Sequence, residues 1–119
     1  MRVLLVDDNA MNVDLFVDAL EADGHEIIVE RDGPTGLSRA LREPVDLILL
    51  DIQLPGLDGI AVLRALREAG VRTPSLALSS AAMTEQVERG RAAGFEAYLT
   101  KPISPAALRA AVRRFAPPA

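Results

Sequence analysis

The chain has 119 residues, 50% of them hydrophobic and 25% charged, which suits one globular domain with a sizeable core and leaves too little for a second. Thirteen basic residues against seventeen acidic ones give a formal charge of -4, so no electrostatic footprint for nucleic acid or anionic lipid is present. With no cysteine, disulfides, thiolate metal sites and a thiol nucleophile are all excluded.

Short apolar runs alternate five times with segments of helical period, the pattern of a parallel α/β sheet. Val3 to Val6 is a continuous apolar run, expected of a strand buried on both faces. Val13, Phe16, Val17 and Leu20 then recur at helical spacing behind an Asn9 cap, and Gly24 closes that helix. Ile27-Ile28-Val29 reads as the second strand. Asp32-Gly33-Pro34 opens a helix with proline in its first turn, where the missing N–H costs little; Leu37, Ala40 and Leu41 supply its apolar face and Pro44 stops it. Leu47 to Leu50, the most apolar run, is the central strand. After the loop Gln53 to Gly59, Val62, Leu63 and Leu66 mark a third helix with Gly70 as its left-handed cap. Leu76-Ala77-Leu78 is the fourth strand. The stretch from about Thr84 to Ala93 has Val87 as its only large aliphatic and is expected to be the least firmly anchored helix. Ala97 to Thr100 forms the fifth strand, and Ser104-Pro105 opens a last helix carrying Leu108, Ala111, Val112 and Phe115, ended by Pro117-Pro118.

No apolar run approaches the roughly 20 residues that span a bilayer, and Asp7 and Asp8 interrupt any leader. The expectation is a soluble, cytoplasmic domain. Met11 and Met83 read as packing residues, Phe16 and Phe115 as core, His25 as a surface residue, and Arg39, Arg42, Arg64 and Arg67 as solvated helix faces.

In open parallel sheets, ligands bind at the carboxyl ends of the strands. Here those ends carry Asp7-Asp8, Asp51, Ser79-Ser80 and Thr100-Lys101-Pro102. An aspartate at a strand end is often only a turn former or helix cap, but three at once call for more. Three carboxylates against one ammonium leave the group negative unless a cation neutralises it or a carboxyl keeps its proton. A hard divalent ion such as Mg²⁺ suits carboxylate oxygens, with room left for phosphate oxygens. Lys101 is the only lysine beside twelve arginines, a compact point charge where the planar guanidinium fork has not replaced it.

These residues resemble the receiver (CheY-like) domain of two-component response regulators. The motifs are Val6-Asp7-Asp8-Asn9, Asp51 through Gly59, Leu78-Ser79-Ser80-Ala81-Ala82-Met83, and Gly94 through Pro102, in order and covering essentially the whole chain. The resemblance implies a flavodoxin-like doubly wound sheet of five parallel strands, order 2-1-3-4-5, with five helices. It implies one receiver domain over residues 1–119 without an output domain, nearest to stand-alone single-domain regulators through Asp8-Asn9-Ala10-Met11-Asn12 and Asp51-Ile52-Gln53-Leu54-Pro55. It assigns Asp51 as phosphoacceptor, Asp8, Asp51 and the Gln53 carbonyl as Mg²⁺ ligands, and Asp7 as a water-bridged partner of the ion. Ser79 becomes the switch hydroxyl, Lys101 the cation meeting the phosphoryl group, and Tyr98 the aromatic switch residue; the Lys101-Pro102 bond is expected to be cis. Ser79 stands where threonine is commoner, and Ser80 where alanine is usual.

The implied partners are a histidine kinase or histidine phosphotransferase as donor, and a downstream protein or a second copy at the face of the fourth helix, fifth strand and fifth helix. On this reading the chain is not an enzyme beyond its own phosphorylation and slow dephosphorylation. The alternative in a different class is a pseudo-receiver, an interaction module that is never phosphorylated. A phosphatase of the haloacid dehalogenase type would need a carboxylate at the position of Gln53, and a nucleotide site would need a glycine-rich loop after the first strand; neither is present.

Overall fold

A computed structural model describes residues 1–79 and 92–115. Each apolar run becomes a strand: β1 (Arg2–Val6), β2 (Glu26–Glu30), β3 (Leu47–Asp51), β4 (Ser75–Ser79) and β5 (Ala97–Thr100). All pair in parallel in the order β2-β1-β3-β4-β5, as expected. Four helices lie among the described residues: α1 (Ala10–Ala22), α2 (Gly33–Arg42), α3 (Gly59–Glu68) and α4 (Pro105–Arg113). The helical stretch expected from Thr84 lies, but for its last residues, outside the described residues, as do Ser80, Met83 and the Pro117-Pro118 stop.

The period of two in each strand divides the core into two layers. Val3 and Leu5, Leu47 and Leu49, and Leu76 and Leu78 pack with Val13, Phe16 and Leu20 of α1 and Leu108 and Val112 of α4. Leu4 and Val6, Ile48 and Leu50, and Ala77 pack with Ala40 of α2 and with Ile60, Val62, Leu63 and Leu66 of α3. A sheet covered on both faces needs apolar residues at every position, which is why β1 and β3 read as unbroken runs.

The side chain immediately before each helix satisfies one of its first free N–H groups. Asn9, Asp32, Asp58 and Ser104 accept from the backbone nitrogens of Asn12, Thr35, Ala61 and Ala107 respectively. At Gly59 a Cβ would lie 2.2 Å from the Asp51 carbonyl oxygen, so only glycine lets α3 start against the end of β3. Gly70 turns the chain out of α3 with φ of +86°, as its expected capping role requires.

Several side chains depart from expectation. Met11 is 82% exposed, because it lies two residues before Val13 and so on the far side of α1 from the buried stripe. Leu41 is half exposed, since α2 sets the line Gly33, Gly36, Ala40 against the sheet and Leu41 falls at its edge. Arg39 is tied to Glu30 at 3.2 Å and Glu43 at 2.7 Å; their hydrogen bond raises the Arg39 pKa and lowers that of Glu43. Arg67 folds back onto the Val71 carbonyl at 2.9 Å. His25 is half-buried with Nδ1 3.1 Å from the Met1 nitrogen, and burial first, then the neighbouring amino group, lowers its pKa below 6.5.

Candidate functional site

The two-layer alternation also assembles the site. Asp7 continues the row Val3, Leu5; Asp51 continues Leu47, Leu49; Lys101 continues Ala97, Leu99, and all three rows face the α1 and α4 side. The C-terminal ends of β1, β3 and β5 therefore deliver two carboxylates and the lysine to one place. Lys101 Nζ donates to Asp51 Oδ2 at 2.7 Å and stands 3.1 Å from Asp7 Oδ2. The other oxygen of each carboxylate is held locally: Asp51 Oδ1 accepts from the Gln53 backbone at 2.9 Å, and Asp7 Oδ1 from the Asn9 backbone at 2.9 Å.

Asp7 and Asp51 are buried while Asp8 is exposed at the rim. One oxygen from each of Asp7, Asp8 and Asp51 falls within 4.8 Å of the other two. Asp7 Oδ2 is buried without an aligned hydrogen bond although Lys101 is at ion-pair distance. Lys101 alone leaves the three carboxylates with excess negative charge, and a hard cation among them would neutralise it and take up the Asp7 oxygen. The donor set, all oxygen with no histidine or thiolate in the group, fits Mg²⁺.

Burial raises the Asp51 pKa above 3.8 despite the opposing hydrogen bonds from Lys101 and the Gln53 amide, and the nearby Asp7 charge pushes the same way. For Lys101, burial works downward, but its hydrogen bond to Asp51 and the charges of Asp51 and Asp7 outweigh it, so its pKa is raised. The ammonium is thus firmly charged beside a carboxylate whose ionisation the fold resists. An electrophile or cation arriving at Asp51 relieves that strain on the charged form.

A cleft of about 420 Å³ opens beside the cluster, lined by Asp8, Ile52, Gln53, Leu54, Pro55, Asp58 and Ile60. Gln53 is exposed at its mouth. Ser79 is buried at the end of β4, where its carbonyl accepts the Lys101 amide at 2.6 Å. By alternation with Ala77, Ser79 belongs to the opposite row from Asp51, the row of Tyr98. Tyr98 is half-buried and meets Phe95 edge-on, ring centres 5.8 Å apart. The Lys101-Pro102 bond is cis.

Three features escaped the sequence. The close approach of Gly59 to Asp51 could have been suspected from the Asp58-Gly59 pair. The return of Arg67 and the attachment of Glu96 to Ser75, whose amide donates to Glu96 Oε2 at 2.8 Å, leave no mark among so many arginines and glutamates.

A strand-end cluster of this kind on a 2-1-3-4-5 sheet defines a class, and the family model for the response regulator receiver domain matches residues 3–113. The chain belongs to that family. It is 42% identical over 104 residues to the polar-differentiation response regulator DivK of Brucella anthropi, covering 86% of this chain and 85% of that protein. Among solved structures, the Vibrio cholerae chemotaxis response regulator CheY4 superposes with a TM-score of 0.91 at 28% identity, covering 97% of this chain and 98% of that one. The receiver domain of a sensor histidine kinase of Pseudomonas aeruginosa, which holds a magnesium ion in its active-site cleft, gives 0.87 at 34% identity over 96% and 95%.

Proposed function

We propose that the chain is a DivK-like phosphoacceptor, residues 1–119 forming one receiver that takes a phosphoryl group from a histidine kinase or histidine phosphotransferase onto Asp51. In this step an Asp51 oxygen forms the O–P bond as the N–P bond of phosphohistidine breaks, and the departing imidazole keeps the electron pair and takes a proton from solvent. The observation that carries the reading is Lys101 Nζ held between Asp51 and Asp7. It is a fixed cation where the equatorial oxygens of a loose transition state gather charge, and positioned charge is most of what such a reaction needs. Asp7, Asp8, Asp51 and the Gln53 carbonyl would hold Mg²⁺, which when bound supplies further positive charge to the phosphoryl oxygens. The chain catalyses only its own phosphorylation and slow dephosphorylation.

The phosphoryl product carries between one and two negative charges and needs donors beyond Lys101. Ser79 is the hydroxyl proposed for this; it stands in the row of Tyr98 on the other side of the strand end from Asp51, so its hydroxyl must turn toward the phosphoryl oxygens, with Tyr98 responding. The surface altered would be the face of the segment after β4 together with β5 and α4, presented to a downstream protein or a second copy in the cytoplasm. No helix among the described residues is long and apolar enough to cross a membrane. The test is transfer from a labelled, autophosphorylated kinase of the host. At least one kinase or phosphotransferase should label the parent and fail with Asp51→Asn; equal labelling of both would overturn the assignment.

A further inference from the structure

β5 is the weak point of the site. It is an edge strand of four residues, none of them fully buried, paired among the described residues only with β4, yet it must deliver Lys101 to Asp51. Its register matters because a one-residue slip would send Lys101 to the opposite face of the sheet. At the site end the register is held by the Lys101 amide on the Ser79 carbonyl. At the other end a second device acts. The Glu96 amide donates to the Ser75 carbonyl at 2.9 Å, and the Ser75 amide donates back to Glu96 Oε2 at 2.8 Å.

This reciprocal pair locks the residue before β5 to the first residue of β4. Ser75 is fully buried, so its amide has no water to turn to. The second Glu96 oxygen faces the guanidinium of Arg67 at 3.7 Å, and Arg67 is itself fixed on the Val71 carbonyl beyond α3. α3, β4 and β5 are thereby joined at the end of the sheet remote from Asp51.

We propose that Glu96 is a positioning residue for Lys101, setting the β4–β5 register that brings the ammonium to Asp51 and Asp7. The inference rests on the phosphoacceptor reading for its consequence, but its structural part can be measured without phosphate. Glu96→Ala removes the clamp, whereas Glu96→Gln keeps an oxygen for the Ser75 amide. Native-state hydrogen exchange should show the Lys101 amide losing about tenfold or more of its protection in Glu96→Ala, with Leu5 and Leu49 in β1 and β3 unchanged and Glu96→Gln close to the parent. Unchanged protection at Lys101, or a uniform loss through β1 and β3 as well, would overturn the proposal.

A double-mutant cycle on the rate of Asp51 phosphorylation by acetyl phosphate provides the functional arm. Lys101→Met should slow the parent strongly and Glu96→Ala much less, because there the lysine is already displaced; equal effects in both backgrounds would contradict the positioning role. If the parent accepts no phosphate, the phosphoacceptor reading fails while the exchange result still decides the register claim.

Discussion

Replacing Lys101 by methionine removes the ammonium and keeps most of the stem. At 2.7 Å from Asp51 and 3.1 Å from Asp7, its gross attraction at an effective dielectric of about 20 is roughly 6 and 5 kcal/mol respectively. Desolvation of a side chain left only 16% exposed offsets much of this. Breaking a buried pair from one side typically costs about 3–5 kcal/mol, and because the site opens to the cleft the lower end applies, about 3 kcal/mol without metal. Two effects should shrink the loss. Mg²⁺ replaces the missing positive charge, and acid protonates Asp51. Its folded pKa already lies above the unfolded 3.8, so the fold holds that proton more tightly than the unfolded chain does. Stability from this group is present at low pH and is lost as pH rises through that window; without Lys101 the window moves upward. Urea unfolding near pH 7.5 with chelator, repeated with Mg²⁺ and near pH 5, checks the chain of reasoning. Lys101→Met within about 0.5 kcal/mol of the parent at the higher pH without metal would refute it.

Gly59→Ala would set a Cβ 2.2 Å from the Asp51 carbonyl oxygen, so the backbone at the site must move; a stability loss of about 2–3 kcal/mol with weaker Mg²⁺ binding by calorimetry is expected. Asp8→Asn removes one of the three converging charges and should weaken Mg²⁺ binding by about tenfold or more while leaving the urea midpoint without metal unchanged or raised; titration calorimetry reads it. For His25 the folded pKa is below 6.5, so its contribution is complete above that value and lost as pH falls through the folded pKa. His25→Gln should flatten the decline in thermal stability between about pH 7.5 and about pH 5.5, and an unaltered slope would assign that decline to other groups.

Legibility followed the physics of each feature. A sheet covered on both faces imposes apolar runs, so β1, β3 and β4 stood out, and the polar residue ending each run marked the site. Lys101 was visible as the lone lysine. The alternation that brings Asp7, Asp51 and Lys101 to one face was implicit in the runs but needed the strand order and register to become a statement about contact. Met11 is hydrophobic but exposed, because its angular position on α1, two residues from Val13, turns it away from the core. Arg39 meets Glu43 four residues on, an i,i+4 pair that the sequence displays, whereas its contact with Glu30 and the return of Arg67 to the Val71 carbonyl depend on how α2 sits against β2 and how the chain leaves α3. The Glu96 clamp joins residues 21 apart through a backbone amide, for which no side-chain pattern exists.

The central claim is that Asp51 accepts a phosphoryl group under the charge of Lys101 and a divalent ion. Incubation with acetyl phosphate, with and without Mg²⁺, followed by intact mass and peptide mapping tests it most directly. The account predicts one added phosphoryl group on the Asp51 peptide, dependent on Mg²⁺ and absent in Asp51→Asn. A parent that stays unmodified with Mg²⁺ present, or a phosphoryl group mapped to any other residue, would contradict it.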